Sequence, residues 1–140
     1  MFRPPLVFHQ TGRSAVRYPL TLAVPLLVAL TVAGCGRKAV SFKEQIQPVL
    51  NARCTQCHGS DVARGKIVLS SYAGLMASHA VSGREPLVIP GNPYQSRLYI
   101  LCSTNQPHFR MPPDTSAVTP LPPEELDVLR HWITEGAKDN

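Results

Sequence analysis

The spacing of apolar and polar positions changes several times along the chain. From Ser41 to Arg53 the apolar residues Phe42, Ile46, Val49 and Leu50 recur three or four apart, which predicts an amphipathic helix. Ser41 stands where an N-cap belongs, Glu44 is the reciprocal acid three residues on, and Pro48 is expected to bend the helix. Residues 60–95 show no sustained period. Within them Ile67-Val68-Leu69 is a brief β-branched run, Ser71 to His79 carry a weak helical signal, and Val88-Ile89-Pro90-Gly91-Asn92-Pro93 is a turn. Tyr94 to Leu101 reads as a short helix with Leu98 and Leu101 inward, and Thr104 to Pro120 as a loop holding Met111-Pro112-Pro113. A last helix opens at Pro122-Pro123-Glu124-Glu125, places Leu126, Leu129, Trp132 and Ile133 on one face, and meets Gly136 where a C-cap belongs. The pattern predicts an all-α domain over residues 41–138, with three to four helices joined by long loops and no internal repeat.

Composition sharpens this picture. The 140 residues have room for one domain, and 14 prolines and 9 glycines hold much of it in turns. Only a modest core is available to about a hundred residues, so a large buried prosthetic group would supply missing apolar contact.

The start of the chain reads as an export signal. Residues 1–17 hold Arg3, Arg13 and Arg17 and no acid, and the apolar block Leu20 to Leu30 follows. That block falls short of the roughly 20 residues that span a bilayer, and Pro25 interrupts it. Val32-Ala33-Gly34-Cys35 resembles the lipobox of bacterial lipoproteins, with Val where Leu is favoured. The resemblance implies a signal peptide over 1–34, acylation of Cys35, a lipidated tether over 35–40, and a place on the periplasmic side of a bacterial membrane. Each buried methylene of such an anchor contributes about 0.8 kcal/mol. The formal charge of +5 loses its meaning once the leader is set aside: eleven Lys and Arg face nine Asp and Glu from Cys35 onward. No basic run with interleaved aromatics remains, so the sequence gives no support to a nucleic-acid role.

Cys54-Thr55-Gln56-Cys57-His58 carries the chemistry. Two cysteines three apart on a helical turn project their thiols to one side, where they can add across the two vinyl groups of a haem, and the next histidine can then ligate the iron. A zinc finger would need a second ligand pair, whereas His79, His108 and His131 stand alone and Cys102 has no cysteine nearby. A thioredoxin-like site would need a βαβ pattern, and a plain disulfide would leave His58 unexplained. Cys102, flanked by Leu98, Ile100 and Leu101, reads as a buried apolar residue.

The order of helix, C-x-x-C-H, loops, short helix, Met-Pro loop and terminal helix resembles the class I cytochrome c fold. Phe42 to His58, Ile89-Pro90-Gly91-Asn92-Pro93, Arg110-Met111-Pro112-Pro113 and Leu126 to Ala137 resemble the planctomycete-type cytochrome c domain. The resemblance implies one haem c, held covalently by Cys54 and Cys57, and crossing first and last helices that bring Phe42 or Ile46 against Trp132. Pro122 departs from the Ser, Thr or Asp that usually opens the last helix in that family.

For the sixth iron ligand the sequence offers Met111, in a proline-restricted loop, with His108 as the rival; Met76 reads as a core gap-filler. Met/His ligation raises the potential and suits a carrier of single electrons between redox proteins. The alternatives are an electron-relay subunit of a larger dehydrogenase or oxidase, and a gas sensor with an open iron position. No catalytic dyad is visible: Glu124 and Glu125 belong to a helix start, and His79 and His131 read as surface or packed side chains.

Overall fold

The computed structural model describes residues 38–80 and 83–140. The leader and the acylation candidate Cys35 lie outside them. Among the described residues five short α-helices carry the fold: α1 Gln47–Arg53, α2 Thr55–His58, α3 Tyr72–Ala77, α4 Arg97–Ser103 and α5 Pro123–Thr134. Among the described residues there is no strand, only the isolated bridges His58 with Ala63 and His79 with Pro86. The all-α expectation stands; Thr55–His58 is a helix of its own, which makes five α-helices among the described residues.

The first helix differs from its expectation. Phe42–Ile46 winds as a π-helix, and only Gln47–Arg53 is α-helical. Pro48 is the cause, since it has no N–H to donate and its ring crowds the carbonyl four residues back. The N–H groups of Ile46 and Gln47 reach five residues back, to the carbonyls of Ser41 and Phe42. The wider turn also moves the cap. Ser41 Oγ accepts from the Glu44 N–H at 3.2 Å, but the side chain that returns to the Ser41 N–H is Gln45 at 3.0 Å, not Glu44. The remaining free donors find Asn140 from the far end of the domain: its Oδ1 accepts from the Phe42 N–H at 2.9 Å and its carbonyl from the Lys43 N–H at 3.0 Å.

This end of the molecule is closed by aromatic packing. The rings of Phe42 and Trp132 lie 5.4 Å apart and those of Phe42 and Tyr72 meet edge-on at 5.1 Å, as the crossing of first and last helices requires. The polar tips of both partners are satisfied, Trp132 Nε1 donating to the Lys138 carbonyl and the Tyr72 hydroxyl to that of Ala137, each at 2.9 Å. Those carbonyls are in reach because α5 ends in a Schellman turn. Gly136 has φ +99°, its N–H donates to Ile133 and the Ala137 N–H donates to Trp132.

The stretch expected as one helix from Tyr94 to Leu101 is divided. A 3₁₀ turn over Pro93–Gln95 comes first, then Ser96, then α4, which runs two residues further than expected. Ser96 is wholly buried, and its hydroxyl accepts from the Ile89 N–H and donates to the Asn92 carbonyl. A serine that bonds locally to backbone competes with helix formation, which places the break there.

Candidate haem-attachment site

Cys54 sits in the junction between α1 and α2, with φ −125° and ψ −40°, outside helical geometry. The short helix α2 then carries Cys57 and His58 on one turn and stops at Gly59. A Cβ on Gly59 would lie 2.7 Å from the Thr55 carbonyl oxygen, so the turn tolerates only glycine without shifting. No disulfide joins Cys54 to Cys57. Cys54 and Cys57 both line a cavity of about 650 Å³ whose walls are mostly apolar.

His58 completes this wall of the cavity. Its Nδ1 lies 3.0 Å from the Arg64 carbonyl, which fixes the ring and leaves Nε2 as the free nitrogen. Burial lowers the His58 pKa, a bond to the Arg64 backbone partly opposes that, and the Arg64 charge adds to the lowering. A neutral imidazole with one nitrogen engaged is the form that ligates a metal. Burial pushes the Cys54 thiol up from 9.0 to about 12, against the lowering influence of Arg53, so this wall disfavours a thiolate. A thioether sulfur carries no charge and suits such surroundings, whereas a zinc site would need the thiolate.

The other wall comes from α4 and the Met-Pro loop. Leu98, Leu101 and Cys102 of α4 line the cavity, and so do His108, Phe109, Met111 and Pro112. Met111 is held to α4 through its N–H, which donates to the Leu101 carbonyl at 2.9 Å. His108 belongs to an exposed turn over 107–109. Both sixth-ligand candidates thus share one cavity with His58, while Met76 does not line it and packs beside the core, as expected. Cys102 is 5 % exposed, and burial also pushes its thiol upward.

Sequence reasoning missed the clamp that holds the cysteines' wall in place. Arg53 Nε and Nη2 donate to the two carboxylate oxygens of Glu125 at 3.1 and 3.0 Å, and Nη1 donates to Thr119. The hydrogen bond to Glu125 is the leading reason that the Arg53 pKa is raised. A partner 72 residues away leaves no local signal. The Arg64 carbonyl was equally illegible, because any residue supplies a backbone oxygen.

Two thiols beside one free imidazole nitrogen, in an apolar cavity within the roughly 300–1,000 Å³ range of enclosed ligand sites, fit a covalently attached haem. Residues 54–115 match the family described as Planctomycete cytochrome C, a span that opens on Cys54 and runs past Met111. This segment is a planctomycete-type cytochrome c domain. No curated protein and no solved structure matches the chain. The cytochrome c domain implies haem c as its cofactor and electron transfer as its work. The π-helical turn, α1 and α5 lie outside the matched span; α1 packs against α2, and α5 packs against the π-helical turn and α4.

Proposed function

We propose that the chain is an exported, membrane-anchored cytochrome carrying one haem c with His58 and Met111 as axial ligands, and that it passes single electrons between redox proteins on the periplasmic side of a bacterial membrane. One C-x-x-C-H motif supports one haem. The observation that carries the ligation is the shared cavity: His58 enters it with Nδ1 already engaged, and Met111 enters it on a backbone tied to α4. A haem with two protein ligands has no open iron position, so its chemistry is outer-sphere electron exchange. Acylation of Cys35 and removal of residues 1–34 account for the basic leader, the short apolar block and the Val32-Ala33-Gly34-Cys35 sequence.

A pyridine haemochrome assay of the purified protein should report one haem c per chain. The haem should stay with the chain on a denaturing gel, and replacing both Cys54 and Cys57 by Ala should release it. Met111→Ala should remove the weak sulfur-to-iron band of the oxidised protein, lower the midpoint potential and admit carbon monoxide to the reduced iron. His108 supports a second reading, a bis-histidine haem, because it lines the same cavity. That reading replaces the first if Met111→Ala keeps band and potential while His108→Ala loses low-spin character. Carbon monoxide binding by the unaltered protein at neutral pH would instead favour the gas sensor.

A further inference from the structure

The chain leaves the attachment helix at Gly59 and returns to His58 by way of one tight turn. Arg64–Ile67 closes through the Ile67 N–H, which donates to the Arg64 carbonyl at 3.3 Å, and its two central residues both lie in the left-handed region, Gly65 at φ 67° and Lys66 at φ 61°. That is the pattern of a type I′ turn, which ordinarily takes Gly, Asn or Asp at both central places. Glycine adopts it freely, whereas a long side chain such as lysine is strained there. Among the described residues the other non-glycine residue with positive φ is Ala137, and it belongs to the turn that closes α5. Lys66 has no such duty at a helix end. It is exposed and does not line the cavity.

The neighbours of the turn keep the strained residue in place. Leu69 donates its N–H to the His58 carbonyl at 2.7 Å, and Ile67 and Leu69 are buried in the core, so the chain must reverse ahead of Ile67. The same reversal turns the Arg64 carbonyl to the His58 ring, with Nδ1 3.0 Å away. Residues held in disfavoured backbone conformations by their surroundings cluster at ligand clamps, and this one sits two residues from the carbonyl that holds His58. We propose that the left-handed pair Gly65-Lys66 is the positioning element of the iron ligand His58, acting through the Arg64 carbonyl. The proposal rests on the haem reading above and adds a potential-setting role to it. A carbonyl that accepts from Nδ1–H keeps the proton on that nitrogen, fixes the plane of the ring and raises the basicity of Nε2. A more basic ligand favours ferric iron, so the bond holds the midpoint potential down.

The test uses the full-length holoprotein and the variants Lys66→Asn, Lys66→Val and Gly65→Val. The two Lys66 variants lose the same charge, but asparagine accepts the left-handed conformation and a β-branched side chain does not. Two quantities are read: the midpoint potential at fixed pH and salt, and the rate at which the His58 Nδ1 proton exchanges with solvent in the NMR spectrum of the reduced protein. Lys66→Val and Gly65→Val should raise the potential and speed the exchange roughly tenfold, the loss of one hydrogen bond of ordinary strength. Lys66→Asn should keep both native values. Equal shifts in Lys66→Asn and Lys66→Val would trace the effect to the lysine charge and overturn the proposal. A raised potential with native exchange would overturn it too, because the His58 bond would then be intact. Should Gly65→Val fail to fold, the two Lys66 variants still decide. Haem staining on denaturing gels separates the two levels: unaltered protein that fails to stain defeats the haem reading itself, whereas a stained Lys66→Val variant with native potential and exchange defeats only the role of the turn.

Discussion

Burial acts on Cys54 in a way that chemistry on this residue must respect. Its thiol is held at about 12 because the apolar cavity penalises the thiolate, while an ordinary cysteine titrates at 9.0. The direction sets the sign of its pH dependence. A group whose folded pKa is raised keeps its proton in the fold, so folding is opposed only as pH climbs from about 9 toward 12, where the unfolded chain has already lost that proton. Iodoacetamide consumes the thiolate, so in the haem-free chain Cys54 should be alkylated far more slowly at pH 8 than free cysteine, and faster as pH rises. Mass mapping of the alkylated peptide checks this. An ordinary rate at pH 8 would show that the attachment wall does not form before the haem is in place.

Helix ends decide much at the scale of elements. The π-helical turn ahead of Pro48 leaves donors at residues 41–44 that no single local cap can satisfy, and Asn140 takes two of them. Asn140→Ala should therefore cost about 1 kcal/mol, the usual loss for a removed N-cap acceptor. Gly136 works at the opposite end of the same contact. Its φ of +99° is open to glycine and strained for other residues, and the Schellman turn it allows presents the Ala137 and Lys138 carbonyls to Tyr72 and Trp132. Gly136→Ala is expected to cost at least about 1 kcal/mol. Urea denaturation of the holoprotein reads both effects. Midpoints equal to that of the unaltered protein in both variants would mean that this corner contributes nothing to stability.

Across the whole molecule, stability and haem chemistry are carried by different ends of the same helices. Trp132, 1 % exposed, is packed on Phe42 beneath the junction of first and last helices, away from the cavity walls. Truncating a buried aromatic of this kind costs about 3–5 kcal/mol. Trp132→Ala should thus lower the thermal midpoint sharply, while the haem stays bonded to the denatured chain on a gel. The proposed anchor is tested on the full chain. Cys35→Ser should abolish acylation and yield soluble or uncleaved protein, whereas a free, unlipidated amino terminus on the mature native protein would refute the lipoprotein reading.

How much of this was legible depends on the range of the interaction. The all-α class, the approximate places of the helices, the C-x-x-C-H site, the C-cap at Gly136 and the burial of Cys102 are written in spacings of a few residues, because helix periodicity, turn chemistry and the attachment motif act between near neighbours. The division at Ser96 and the π-turn before Pro48 were local too, but they turn on which backbone bond wins a close competition, and a residue pattern does not rank those bonds. The tertiary structure alone decided the rest. Arg53 meets Glu125 across 72 residues, Asn140 caps a helix that begins near residue 42, and His58 and Met111 come to one cavity from separate elements. Such contacts are set by how the helices pack, and packing reads the shapes of side chains far apart in the chain, which no local period encodes.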